Sequence, residues 1–350
     1  MNADPSASAA AFRRARHAQL AALLDHHNLA GMLLRTPANF AWYSGGADNR
    51  VNHADPMGVA QVLVMPQAEY VITTNIEAER MRADQTPEIE VIAHPWDADA
   101  GPTLRTLTGG GRLGADGPPD AAMPGAEDLS RELAPLRHVL DAEAITRYQA
   151  VGRDAVAAMD EAIPEIHTGM AERAAAGLVA AACWRRGLYT PVILAAADER
   201  IARYRHPLAS EMPIARRLML VLCAERGGLV ANLTRWVHLA APEDAWVARQ
   251  DTCETILRRL REEATRPGRT LGDAFADCQR FYAEAGFPDE WRLHHQGGLT
   301  GYASREALAT PENAVIIQPG HAFAWNPSVT GAKAEETFIL TESGPEIICR

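Results

Sequence analysis

Apolar positions at the start of the chain follow a helical period. Phe12, Ala15, Leu20 and Leu23–Leu24 recur at roughly helical spacing, with Arg13, Arg14 and His17 on other faces. This predicts an amphipathic helix over 9–29, after a frayed tail at 1–8. Short apolar runs follow. GMLLRT (31–36), VAQVLVMP (59–66), YVITTN (70–75) and EIEVIAHP (88–95) read as strands, NFAWYSG (39–45) as a short aromatic helix or turn, and 76–85 as a helix. Such alternation predicts a compact α/β domain. Residues 96–127 are dense in glycine and proline and read as loop, with RLGAD (112–116) the one strand. LRHVL (136–140) reads as a last strand, and Asp141 as the N-cap of the next helix. The chain therefore divides into an N-terminal α/β domain, 1–140, and a second domain, 141–350.

The second domain opens with helices over about 142–167 and 171–187, followed by the strand TPVILAAA (190–197). RLMLVLCAERGGLVANLTRWVHLA (217–240) reads as a hairpin around ERGG. Helices over 244–264 and 271–286 are separated by PGRT. EWRLHHQGG, AVIIQPG, HAFAWNPS and KAEETFILTE are strand-like. The expected fold class is α/β in the α+β sense, with helices outside a curved antiparallel sheet.

A length of 350 residues suits two domains, since single cores seldom grow past roughly 250–300 residues. No apolar run reaches the ~18 residues of a membrane span, and the N-terminus lacks the order of a signal peptide. A net charge of −11 argues against nucleic acid and anionic membrane as partners, because both need a basic surface. The cysteines (183, 223, 253, 278 and 349) are odd in number and form no CxxC pair. Free thiols in a reducing, cytoplasmic setting fit that pattern better than a disulfide framework or zinc site.

There is no HExxH helix, GxSxG elbow or P-loop, and GGGRLG (109–114) lacks the spacing of a dinucleotide fingerprint. The informative residues are polar ones set inside apolar stretches: His206, Asn232, Arg235, His294, His295, Asn326, Lys333 and Glu335. Buried polar groups are costly unless paired or used. Eight of them from distant segments point to one shared pocket.

Three segments carry a family resemblance. VLCAERGGLVANLTRWV is similar to the hairpin DLGAEYDGYHSDLTRTF of metal-dependent members of the creatinase–prolidase–aminopeptidase P superfamily. HHQGGLTGYASRE resembles that family's glycine-rich strand with its metal histidine. QPGHAFAWNPSVTGAKAEETFIL resembles EGMVFTIEPGIYGVGVRIEDTVLV. The N-terminal part is similar in pattern only, through NFAWYSG. The resemblance implies a creatinase-like N-terminal domain and a C-terminal pita-bread domain of the M24 peptidase type.

Metal-dependent members hold two ions with two aspartates, a histidine and two glutamates. The resemblance places the aspartates at Val221 and Asn232, the glutamates at Asn326 and Glu335, and the histidine at His295 or His294. Two adjacent cations need anionic ligands to offset their repulsion, so the expectation is no metal cofactor. The alternative is one weakly held divalent ion using a histidine, Glu335 and an asparagine. Creatinase works without metal, and RYRHPLAS places His206 where it carries its proton-handling histidine. The expected catalytic residues are His206, His295 and Glu335. Arg235 and Lys333 would bind a substrate carboxylate, and His294, Asn232 and Asn326 would line the site. Neighbours in a strand face opposite ways, so at most one of His294 and His295 should line the pocket while the other packs or hydrogen-bonds, and Glu335 should part from Glu336.

Three readings follow. The first is a metal-independent hydrolase of a small amide, peptide or guanidino C–N bond. The second is an Xaa-Pro dipeptidase or aminopeptidase with an unusual metal site. The third is a non-catalytic ligand- or partner-binding homologue. The expected partners are a small-molecule or short-peptide substrate and a second copy in a homodimer, with 45–58, including Arg50 and His53, as a lid.

Overall fold

The computed structural model describes residues 5–350. The frayed tail expected at 1–8 lies outside the described residues as far as residue 4, and from Pro5 the chain is already helical, to His27. The chain forms two compact units, one ending at Arg137 and one beginning at His138.

The first unit holds a six-stranded sheet. Its strands are β1 (Gly31–Leu34), β2 (Ala60–Met65), β3 (Ala68–Thr74), β4 (Val91–His94), β5 (Leu113–Ala115) and β6 (Glu127–Asp128), in the spatial order β4-β3-β2-β1-β5-β6. NFAWYSG lies in the helix Pro37–Ser44, capped by Thr36 and stopped by Gly45 at φ 81°. The buried Asp116 carboxylate anchors it, accepting from Arg35 N, Thr36 N, Thr36 Oγ1 and Asn39 Nδ2. Two expectations fail here. The glycine-rich stretch contains a helix, Gly101–Thr108, opened by Pro102. LRHVL makes no strand: its first two residues close the 3₁₀ turn Ala134–Arg137, where the fixed φ of Pro135 suits a helical turn.

The second unit opens with the helix Ala142–Ala162, whose Asp141 cap accepts from Ala144 N, as expected. After the helix Glu172–Trp184 come β7 (Tyr189–Ala197), β8 (Arg217–Arg226) and β9 (Leu229–His238), which form a three-stranded antiparallel sheet. The β8–β9 hairpin turns on Gly227 and Gly228, at φ 58° and 81°, as a two-residue turn requires. Helices Asp244–Arg259 and Leu271–Glu284 follow, the second opened by a Thr270–Asp273 capping box. The remaining strands are β10 (Gly297–Thr300), β11 (Ala307–Leu308), β12 (Ala322–Trp325), β13 (Ser328–Val329), β14 (Ala332–Lys333), β15 (Glu336–Thr341) and β16 (Gly344–Cys349).

Strands β11-β10-β12-β15-β16 make a second antiparallel sheet. It meets the first where Thr337 Oγ1 accepts from Asn232 N and donates to Asn232 O. Helices outside antiparallel sheets are the expected architecture. AVIIQPG is extended but joins neither sheet: Val315 and Ile317 bond the loop at 268–271 instead. EWRLHHQGG departs further. Glu290–Leu293 is a 3₁₀ turn, and the strand begins only at Gly297. Among the described residues, no helix is long and apolar enough to cross a membrane, and all five cysteines are free and buried.

Candidate functional site

The hairpin register builds one wall of a cavity. The two-glycine turn sets Val221 opposite Thr234 and Cys223 opposite Asn232, while β7 adds Leu194 beside Val221 and Val192 beside Cys223. The cavity holds about 330 Å³. Val192, Leu194, Val221 and Cys223 line it on this side, and His206, His295, Ser304, Arg305, Asn326, Lys333 and Glu335 on the other. A depression of about 380 Å³ elsewhere, beside Trp246, has its Arg216 and Arg217 already paired with Glu243.

Glu335 is the electrostatic centre. Its Oε2 lies 2.9 Å from Lys333 Nζ and accepts from Thr234 Oγ1 at 2.8 Å; its Oε1 lies 3.3 Å from Arg305 Nη2. Burial pushes this carboxyl up, but Lys333 and Arg305 outweigh it and hold Glu335 below its ordinary value. Its oxygens are committed, so it anchors two cations rather than standing free as a base. Glu336 points away, as strand alternation requires, and pairs with Arg261 at 2.5 Å.

The histidines converge. His206 Nε2 and His294 Nε2 are 2.9 Å apart, and His294 and His295 stack with ring centroids 4.4 Å apart. One ligand atom from each of the three lies within 4.8 Å of the others. Of the adjacent pair only His295 lines the cavity, as expected, while His294 bonds His206. The strand premise is what fails: His294–His295 lies in irregular backbone, so alternation is not the reason. Gly297 and Gly298 fix the exit from this segment: a Cβ on either would stand 2.1 or 2.2 Å from a carbonyl oxygen, of Ala324 and Ala307. Partial desolvation at the cavity wall, then Lys333, holds His206 below its ordinary value, although its ring keeps an exposed edge. The same partial desolvation, then Arg305 and His206, lowers His295 to about 4. Burial, then Lys333, takes His294 to about 2. Each shift favours the neutral ring.

A second carboxylate holds the His206 loop. Glu172, fully buried, accepts from Ala197 N, Arg200 Nε, and both Ser210 N and Oγ. Asp198, at φ 51°, accepts from the backbone N–H groups of 215, 216 and 217. Arg205 pairs with Glu290 at 2.5 Å, joining this loop to the turn before His294.

Residues 146–342 match the metallopeptidase family M24. The chain belongs to the metallopeptidase family M24. The family's enzymes are hydrolases of the peptidase type, and this chain is one of that type. Solved structures agree on the fold. The prolidase of Pyrococcus horikoshii has TM-score 0.81 at 17% identity, covering 95% of this chain and 97% of that one. The Xaa-Pro dipeptidase of Bacillus anthracis has 0.78 at 20%, covering 97% and 98%. The N-terminal domain of the FACT complex subunit SPT16 from Eremothecium gossypii has 0.70 at 13%, covering 97% and 96%. No curated protein matches the chain.

Five of the eight residues singled out in the sequence line the cavity: His206, His295, Asn326, Lys333 and Glu335. His294 stands behind His206. Asn232 is fully buried beside the cavity wall, with Nδ2 on Val230 O and Thr300 Oγ1. Arg235 does not join them. It pairs with Leu220, one residue out of phase with Val221 and Thr234, so it projects from the opposite face of the sheet. The sequence reading missed Arg305 and Thr234, although Arg305 lies within the glycine-rich segment already singled out.

A metal pair of the family's kind does not fit these residues. Val221 offers no donor, Asn232 and Asn326 add no charge, and the one carboxylate, Glu335, already holds two cationic side chains. A divalent pair here would meet a positive field instead of an anionic cage.

Proposed function

We propose that this M24 protein hydrolyses a C–N bond in a small substrate bearing a carboxylate, and does so without the metal pair of its relatives. The observation that carries the reading is the Lys333–Glu335–Arg305 triplet in the cavity wall. Two cations against one carboxylate leave one positive charge facing a largely apolar space. A substrate carboxylate neutralises it and gains charge-assisted hydrogen bonds. His206 and His295 face the same cavity as neutral imidazoles, each able to take a proton from an attacking water. The short His206–His294 contact orients the His206 ring. Glu335 holds the cations in place and takes no part in proton transfer.

The test is a hydrolysis screen of N-acyl amino acids, guanidino acids and Xaa-Pro dipeptides in the presence of chelator. Turnover should persist under chelation. His206→Gln should lower kcat by about 10²–10⁴-fold, the usual worth of a general base, and Arg305→Met should act mainly on KM. Turnover that needs added manganese or cobalt and vanishes with chelator would refute the reading, as would full activity in His206→Gln.

A further inference from the structure

The three histidines offer more than a general base. We propose that His206, His294 and His295 form a mononuclear binding site for a zinc-class cation, which shares the position of the family's metal histidine but uses none of its carboxylates, with its open position toward the cavity.

The geometry supports this on three counts. First, the ligand atoms lie within 4.8 Å of one another, and the His206–His294 pair is already at 2.9 Å. A tetrahedral zinc ion with nitrogens at about 2.0–2.1 Å sets those nitrogens roughly 3.3 Å apart. The His206–His294 pair must open slightly and the wider sides of the triangle must close, by at most roughly 1.5 Å, and His206 and His295 are exposed side chains with room to turn. Second, the His294 ring is not committed elsewhere: its Nδ1 is buried with no hydrogen-bond partner, and its Nε2 meets only His206. Third, His206 and His295 line the 330 Å³ cavity. Three protein nitrogens with the fourth position open to a cavity is an open zinc site, unlike the closed four-ligand shell of a structural one.

The same surroundings set the selectivity. Glu335 is occupied by Thr234, Lys333 and Arg305. That leaves three imidazoles and no free carboxylate. Magnesium and manganese favour oxygen ligands, whereas imidazole suits zinc, cobalt, nickel and copper. The positive charge of Lys333 and Arg305 opposes every cation alike, so only an ion that forms strong bonds to nitrogen overcomes it. An ion bound here would take the lone pairs that hydrolysis requires. The site itself does not rest on the hydrolytic reading, because it is tested by binding alone.

The test is calorimetry of the metal-free full chain with Zn²⁺, Co²⁺ and Mn²⁺, together with the visible absorption of the cobalt form. One Zn²⁺ or Co²⁺ per chain is expected, with an intense tetrahedral cobalt band and no Mn²⁺ binding. His206→Ala and His295→Ala replace exposed side chains, so folding should survive, as the metal-free melting temperature will show. Each should weaken binding by more than the roughly 10–100-fold lost with a mere outer partner. Glu335→Gln should leave cobalt bound in tetrahedral form. No stoichiometric Zn²⁺ or Co²⁺ binding would overturn the proposal, as would preference for Mn²⁺ or binding unaffected by His206→Ala.

Discussion

Replacing Lys333 by methionine tests the charge arrangement of the cavity directly. Lys333 Nζ lies 2.9 Å from Glu335 Oε2, with the two side chains 5% and 3% exposed, so solvent does little to screen the pair. Removing one partner of a buried ion pair costs about 3–5 kcal/mol, because the other charge stays buried. Here Arg305 remains at 3.3 Å and Thr234 still donates at 2.8 Å, which puts the loss at the low end, about 3 kcal/mol. For a unit of this size each kcal/mol moves Tm by roughly 2–4 °C, so Lys333→Met should melt roughly 6–12 °C lower at pH 7. The pH dependence has a definite sign. Glu335 is held below its ordinary value, so its stabilisation is present above the unfolded value of about 4.3 and is lost as pH falls through the native one. In the variant the main lowering influence is gone and the carboxyl rises. The variant's deficit should therefore shrink as pH drops from 7 toward 4. Urea denaturation followed by circular dichroism at several pH values measures it. A deficit below 1 kcal/mol, or one that does not change with pH, would refute this account of the Lys333–Glu335 pair.

Two further outcomes are expected. Glu172→Gln turns one acceptor oxygen into a donor facing Arg200 or Ser210. It should cost about 3 kcal/mol and speed amide exchange over 198–210, while the β8–β9 hairpin stays protected; hydrogen-exchange mass spectrometry resolves the two regions. His321 is 2% exposed, and burial lowers it to about 4. The unfolded chain therefore binds the extra proton between about pH 6.5 and 4, and stability falls as pH drops through that window, by about 3 kcal/mol in all. His321→Gln should flatten that slope in denaturation curves, and an unchanged slope would assign it to other groups.

The sequence by itself determined the elements with strong local signals. The hairpin around Gly227–Gly228 needs left-handed residues at its turn, and glycine supplies them. The Asp141 cap and the Thr270–Asp273 capping box act within four residues. Alternation within β9 and across 335–336 determined which side chains share a face, and it separates Glu335 from Glu336 correctly. The same rule, applied fully, would have set Arg235 apart from Asn232 and Thr234. Other features depended on chain segments meeting in space. Whether HHQGG begins as a strand was decided by Gly297 and Gly298 pressing against Ala324 and Ala307, which leaves His294 and His295 in irregular backbone. That Glu335 is an anchor rather than a base was decided by Arg305 and Thr234, thirty and a hundred residues away in sequence. The role of a carboxylate depends on which charges burial places beside it, and spacing along the chain carries no record of that distance. The three histidines likewise become a single cluster only because the Glu172-held loop brings His206 to the turn before β10.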